Sequence, residues 1–226
     1  MLVGHYGPSF AIKAADRSIP LWLLFVAVQL VDIVWAVFVL LGIERIRIVP
    51  GFTATNAYDL YYIPYTHSLP ATLFWVLAAA FAYRWSAGVR RSSSAWLGAA
   101  VLSHWLLDTL VHVSDLPLWD DVYKIGFGLW NYRWPAFGLE LVVLVAGVWL
   151  YARAVDLTRR QLLELALFAG LMIGIQLLSL LLQPPPSADA AVLQALAAYL
   201  VLTLAAFWLE TRQTARTVHS SRGSRS

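Results

Sequence analysis

The chain of 226 residues contains no cysteine, so disulfide bonds and thiolate metal ligands are excluded. Charge is also scarce: only 13% of the residues are charged and 60% are hydrophobic. That balance is too apolar for a single soluble core and indicates a protein that crosses a membrane several times. We find no internal repeat and no glycine-rich phosphate loop, and we expect neither a cleavable signal peptide nor a nucleic-acid partner.

Apolar runs of about 20 residues predict an all-α fold, a polytopic transmembrane helical bundle. Six spans are expected, together with a short N-terminal helix. The spans are 19–42, 67–83, 94–113, 135–155, 161–183 and 189–209. The 11 tryptophans and 10 tyrosines fit the aromatic belts that lie at the level of lipid headgroups.

Basic residues are distributed unevenly between the two sides of these predicted spans. Twelve share one side: Lys13, Arg17, Arg84, Arg90, Arg91, Arg153, Arg159, Arg160, Arg212, Arg216, Arg222 and Arg225. The other side has Arg45, Arg47, Lys124 and Arg133. Because cytoplasmic loops carry the excess of Lys and Arg, both termini are predicted to be cytoplasmic.

Polarity divides the chain into three parts. Residues 1–155 are predicted to form a polar-centred helical core, and 156–209 an apolar pair of transmembrane helices with only Gln176 and Gln194 strongly polar at depth. The pair offers a surface for partner subunits or a second copy of the chain. Residues 210–226 are predicted to be a disordered, basic cytoplasmic tail.

Ionisable side chains are costly inside a bilayer, by at least about 2.5 kcal/mol each at the centre of a span. The predicted spans nevertheless contain Asp32, His67, His104, Asp108 and Glu140. A rise of about 1.5 Å per helical residue places all five in the middle and outer half of the membrane. We therefore expect them to form one site.

The spacing within 94–113 indicates a metal site. His104, Asp108 and His112 follow one another at intervals of four, so they share one helix face. Imidazole and carboxylate groups suit Zn²⁺, with Mn²⁺ or Fe²⁺ as alternatives. The plainer interpretation of each histidine is a hydrogen-bonded core residue.

The N-terminal segment has two interpretations. Gly7-Pro8 is typical of a helix start. If residues 8–17 form a helix that rises from Arg17 into the bundle, His5 reaches the depth of Asp32. Alternatively, the segment lies as an amphipathic helix on the inner surface.

These features together resemble a known family. They are, in chain order, His5, Asp32 in Q-L-V-D-I-V-W, Thr66-His67-Ser68, and His104 with Asp108 in S-H-W-L-L-D. Residues 1–155 resemble the membrane-bound metal-dependent hydrolases of bacterial inner membranes, which are distantly similar to zinc-dependent phospholipase C. The resemblance implies a divalent metal held by His5, Asp32, His67, His104 and Asp108.

The chain departs from the family pattern at two points. The family has Pro-Asp-x-Asp in the first span, where this chain has V-D-I-V around Asp32, and His-Arg before Thr-His-Ser, where it has I-P-Y at 63–65. The losses imply one metal instead of two, or a site that binds without turnover, and Glu140 is a candidate replacement for the missing carboxylate.

Three functions remain open at this point. The first is a hydrolase of an amphiphilic, phosphate-bearing membrane lipid or lipid-linked substrate, with Glu140 or His112 as general base. Asn131, Arg133 and Ser68 are its predicted substrate-binding residues. The second is a proton or cation transporter, and the third a non-catalytic accessory subunit of a membrane complex.

Overall fold

The computed structural model describes residues 1–223, with side chains described through residue 212. Of the predicted tail, 210–226, residues 210–223 continue the last helix, and residues 224–226 lie outside the described part of the chain. The helices are α1 (Tyr6–Ala15), α2 (Leu21–Val28), α3 (Leu30–Leu40), α4 (Pro64–His67), α5 (Leu69–Ala87), α6 (Arg91–Val111), α7 (Arg133–Ala154), α8 (Arg159–Leu181) and α9 (Ala188–Gly223).

Two short antiparallel hairpins connect helices at one end of the bundle. They consist of β1 (Arg45–Ile48) with β2 (Tyr58–Tyr62), between α3 and α4, and β3 (Leu116–Trp119) with β4 (Val122–Ile125), between α6 and α7. The hydropathy pattern did not predict either hairpin, because each strand has only four or five residues.

Among the described residues, four helices are long and apolar enough to cross a membrane: α6, α7, α8 and the Ala188–Arg212 part of α9. The first predicted span is a fifth candidate, but it is broken at Gln29 into α2 and α3, which are bent by 53°. The helix predicted as the second span is α5. Its mean hydropathy is lower than that of the four candidate spans, because Tyr83, Arg84 and Trp85 fall within it. The chain thus has the helices of a membrane protein, with four or five candidate spans rather than the expected six.

Helix α1 is packed inside the bundle, mainly against α7. Its helical residues begin at Tyr6, two positions before the predicted start. Gly7 of α1 faces Gly147 of α7 so closely that a Cβ on either glycine would collide with backbone of the other helix. Small residues allow such close approach between helices. The interior position, not the surface position, is therefore the one that α1 occupies.

The C-terminal end of α1 is tied to the end of the bundle where the basic residues gather. The Lys13 ammonium donates to the Glu210 carboxylate and to the carbonyl oxygen of Ile19. The hydroxyls of Ser18 and Ser93 donate hydrogen bonds to the Asp16 carboxylate. These hydrogen bonds lower the pKa of the Asp16 carboxyl from its ordinary value, and the one from Ser18 has the largest effect.

An aromatic layer fills the interior between this basic end and the N-terminus of α1. Tyr6 and Phe10 are fully buried and pack on Phe25 of α2, with ring centroids 4.4 and 5.5 Å apart. Phe25 in turn stacks on Phe168 of α8. The layer anchors α1 and closes the bundle beneath its first turn.

The glycine contact predicts a strong difference between two substitutions on α7. Gly147→Ala pushes α1 away from α7, and overpacking of this kind costs about 1–3 kcal/mol. Gly138→Ala is the matched control, because nothing lies within 4 Å of its added methyl group. We expect thermal unfolding in detergent to show a lower midpoint for Gly147→Ala and an equal or higher one for Gly138→Ala. Equal midpoints for the two variants would contradict the contact.

Candidate metal centre

The five residues predicted as metal ligands come together at one point of the fold. His5 immediately precedes α1, Asp32 lies in the first turn of α3, and His67 ends α4. His104 and Asp108 lie one turn apart near the end of α6. Four of the five are buried, and Asp32 is partly exposed to a cavity. We call these five residues the His/Asp cluster.

Distances within the His/Asp cluster are short enough for its side chains to hold a common metal ion. His104 Nε2 lies 3.0 Å from Asp108 Oδ2 and 3.4 Å from Asp32 Oδ1. His67 Nε2 lies 3.3 Å from the same Asp32 oxygen, and His5 Nε2 lies 3.1 Å from Asp108 Oδ1. The nitrogen of Met1 is also close, 3.2 Å from Asp108 Oδ1.

Two groups of three potential ligands can be drawn within the cluster. One consists of His5, His104 and Asp108, and the other of Asp32, His67 and His104, and in each group the ligand atoms lie within 4.8 Å of one another. His104 belongs to both groups. Since each residue offers one ligand atom, His104 can bind only one ion, and the two groups are alternative positions for it.

Hydrogen bonds fix the tautomers of two histidines. His104 Nδ1 lies 2.7 Å from the carbonyl oxygen of Val28, and His112 Nδ1 lies 2.8 Å from Asp115 Oδ1. Both partners only accept, so each Nδ1 must carry the hydrogen. In the neutral form of each ring, the lone pair of Nε2 then faces the cluster, which is the form in which histidine binds a metal.

A longer chain of hydrogen bonds fixes the tautomer of His67. Glu44 accepts from the backbone N–H groups of Tyr65 and Thr66 and from the Thr66 hydroxyl, at 2.7 to 2.9 Å. Because the hydroxyl donates to the ionised Glu44, its oxygen accepts from His67 Nδ1, 2.7 Å away. His67 Nε2 is then left without a hydrogen and faces Asp32. Carboxylates that orient ligand histidines in this way are typical of metal sites.

Neutral histidines in these tautomers leave a deficit of positive charge. Their Nε2 lone pairs face carboxylate oxygens at 3.0 to 3.9 Å in a buried environment, where repulsion is weakly screened. Within the described part of the chain, His104 Nε2 has no hydrogen-bond partner. His5 and His104 are stacked with ring centroids 3.9 Å apart, so protonating both would place two cations in contact. A divalent metal ion removes the conflict.

The two predicted general bases differ in their surroundings. The Glu140 carboxylate accepts from the backbone N–H groups of Leu2 and Gly4 and from Gln176 Nε2, so it holds the segment before α1 against α7 and α8. His112 caps the end of α6, with its Nε2 3.6 Å from Asp108 Oδ2. Both line the same cavity, and their catalytic roles stay predictions.

Residues outside the predicted set complete the centre. Tyr199 of α9 donates to Asp32 Oδ2 at 2.7 Å, so the apolar helix pair is joined directly to the cluster. Tyr199 was missed because tyrosine is ordinary in a membrane helix. Glu44 and Asp115 were missed because both lie in loops, where an acidic residue carries no signal.

A cavity of about 440 Å³ adjoins the cluster, a volume typical of small-molecule sites. Asp32, His67, Asp108 and His112 line its polar end. Asn56 and Tyr58 of the first hairpin contribute to its roof.

The three predicted substrate-binding residues do not line this cavity. Asn131 and Arg133 are exposed nearby, and Arg133 donates to the carbonyl oxygen of Ala54. Ser68 caps α5 by accepting from the backbone N–H of Ala71, and it borders a separate surface groove of about 760 Å³. Their role stays a prediction.

Comparison with known proteins adds no relative: no family model, no curated protein and no solved structure matches the chain. The assignment of a function therefore depends on the residues and geometry described above.

The tautomer argument predicts a selective effect of Glu44→Gln. The amide presents a donor where a carboxylate oxygen accepted, so the Thr66 hydroxyl turns to His67 Nδ1 and moves the hydrogen to Nε2. Loss of such an outer partner lowers metal affinity by about 10- to 100-fold. Asp59→Asn, which removes a surface ion pair with Arg47 on the same hairpin, is the control.

Competition with a chelator of known affinity measures the effect. We expect weaker Zn²⁺ binding by Glu44→Gln and unchanged binding by Asp59→Asn. Equal affinities in the two variants would show that Glu44 does not position His67.

Proposed function

We propose that the chain is an integral membrane, metal-dependent hydrolase that acts on an amphiphilic, phosphate-bearing substrate at the outer half of a bacterial cytoplasmic membrane. The proposal takes Zn²⁺ as the metal, with Mn²⁺ or Fe²⁺ as alternatives, and His5, Asp32, His67, His104 and Asp108 as its ligands. It takes the six helical spans expected from the sequence, with α5 and the α2–α3 pair included and α1 re-entrant.

The observation that carries the proposal is the set of histidines whose Nδ1 atoms are fixed by acceptors while their Nε2 atoms face Asp32 and Asp108. Core histidines in structural roles satisfy both ring nitrogens. Here, within the described residues, His104 Nε2 has no hydrogen-bond partner, and it faces the same Asp32 oxygen as His67 Nε2 beside a cavity.

The residues have separable tasks in this proposal. A bound divalent metal would lower the pKa of a coordinated water molecule and stabilise negative charge on a phosphoryl oxygen. His112, with Nδ1 held by Asp115, is oriented to take a proton at Nε2 from a group in the cavity. The Glu140 carboxylate already accepts three hydrogen bonds and holds the segment that carries His5. We therefore favour His112 as the general base.

The aromatic layer favours a hydrolase over a proton or cation relay. A relay needs polar groups that continue to the opposite end of the bundle. Below the cluster, however, α1 presents Tyr6 and Phe10, which are fully buried against Phe25. A site closed toward the basic end suits a substrate that enters and leaves on the same side of the membrane.

Activity on lipid vesicles tests the hydrolase directly. Metal-loaded protein is expected to release product from a lipid phosphomonoester or phosphodiester. Asp108→Asn is expected to lose at least about 100-fold in rate, because it removes the carboxylate that lies within 3.9 Å of all three histidines of the cluster. Asp189→Asn, an exposed acid in the first turn of α9, is the control and should retain full rate. No release by the wild-type protein, or equal release by Asp108→Asn, would refute the proposal.

Cysteine labelling tests the proposed orientation, because the chain has no cysteine of its own. Ala54→Cys lies in the first hairpin and Ser92→Cys at the basic end, and both positions are exposed. A membrane-impermeant maleimide added to intact cells is expected to label Ala54→Cys, and Ser92→Cys only after permeabilisation. The reverse pattern would place the His/Asp cluster toward the cytoplasm.

A further inference from the structure

Helices α8 and α9 follow each other in the chain but make little contact. Helix α8 packs mainly on α7, whereas α9 packs on α2 and α3. A gap is left between the last turns of α8 and the first turns of α9. The cavity beside the His/Asp cluster extends into this gap, where Leu178 and Ser179 of α8 and Ala195 and Ala198 of α9 line it.

Residue size differs between the two faces of α9 at this level. The cavity face carries the alanines Ala191, Ala195 and Ala198, whereas the outward face carries Leu193 and Leu200, both more than half exposed. Eight residues separate Ala191 from Tyr199, the partner of Asp32, so the gap runs about 12 Å along α9 from the cluster. The small residues keep this passage open.

The gap opens sideways, toward the surface that a bilayer would cover. Leu178 and Leu182 line the cavity, yet they are 56% and 68% exposed on the outside of the bundle. These side chains therefore stand at the edge of an opening between α8 and α9. An opening at this edge leads to lipid, since α8 and α9 are two of the candidate membrane spans.

Polar groups line the gap although both helices are otherwise apolar. Gln194 is exposed on α9 and lines the cavity, and Ser179 and Gln176 line it from α8. Gln176 reaches Glu140 beside the cluster. Within the described residues, however, Gln176 Oε1 has no hydrogen-bond partner. An unsatisfied amide oxygen is costly in hydrocarbon, so the gap suits a guest that carries a hydrogen-bond donor.

We infer that the gap between α8 and α9 is a lateral portal through which the headgroup of an outer-leaflet phospholipid reaches the His/Asp cluster. Gln194, Ser179 and Gln176 line the path of the headgroup, and the acyl chains stay in the bilayer beside Leu178 and Leu182. The inference deepens the proposed function and rests on it for the membrane orientation, but binding through the portal requires neither metal nor turnover.

Photocrosslinking in proteoliposomes tests the portal. The probe is a phosphatidylethanolamine whose headgroup amine carries a diazirine, diluted into phosphatidylcholine. Peptide mass spectrometry compares adducts inside the cavity, at Tyr58 and Tyr199, with adducts at the exposed Trp134 as an internal reference.

Three variants bracket the portal. Ala195→Trp fills the gap, Gln194→Leu keeps its size but removes the amide, and Ala197→Trp places the same bulk on the exposed face of α9. We expect cavity adducts in the wild-type protein and in Ala197→Trp, and a loss of at least fivefold relative to Trp134 in Ala195→Trp and Gln194→Leu. If Ala195→Trp does not fold, the comparison of Gln194→Leu with Ala197→Leu carries the test.

Absence of cavity adducts in the wild-type protein, or equal cavity adducts in all variants, would overturn the portal. Neither result would bear on the hydrolase, because a substrate can still enter beneath the first hairpin. Conversely, cavity adducts that depend on Ala195 and Gln194 would establish the portal even if the purified protein hydrolysed no lipid.

Discussion

The structure depends on two carboxylates in the interior of the bundle, Asp32 and Asp108, that face the Nε2 atoms of histidines. Asp32 and Asp108 lie within 3.4 Å of His104 Nε2, inside a bundle whose interior screens charge weakly. An unpaired charge in such a place costs several kcal/mol unless a countercharge neutralises it. Hydrogen bonds from outside the cluster orient the rings, and a divalent metal ion is the countercharge that we propose.

Much of the remaining architecture holds the residues of the His/Asp cluster in place. The Gly7–Gly147 contact lets α1 pass inside the bundle and deliver His5, and Glu140 holds the segment before α1. The break at Gln29 between α2 and α3 leaves the carbonyl of Val28 free to accept from His104. Irregular backbone is thus found where it lines the polar centre, as membrane proteins require.

The sequence predicted the centre more completely than its surroundings. Ionisable residues in apolar helices are rare, so His104 and Asp108 could be recognised in the sequence. Their estimated depth in the membrane then placed them in one site. The hairpins could not be predicted, because strands of four or five residues leave no periodic signal. Helix α5 has the length of a span, but its aromatic and basic residues lower its mean hydropathy. Glu44 and Tyr199 act through the tertiary fold, which brings them to His67 and Asp32 from distant positions.

The most direct test of the account is elemental analysis of the delipidated, purified protein beside its Asp108→Asn variant, with circular dichroism to verify that both are folded. We expect about one ion of Zn, Mn or Fe per chain in the wild-type protein and its loss from the variant. Two folded proteins that both lack metal would contradict it, and the His/Asp cluster would then be neutralised by protons alone.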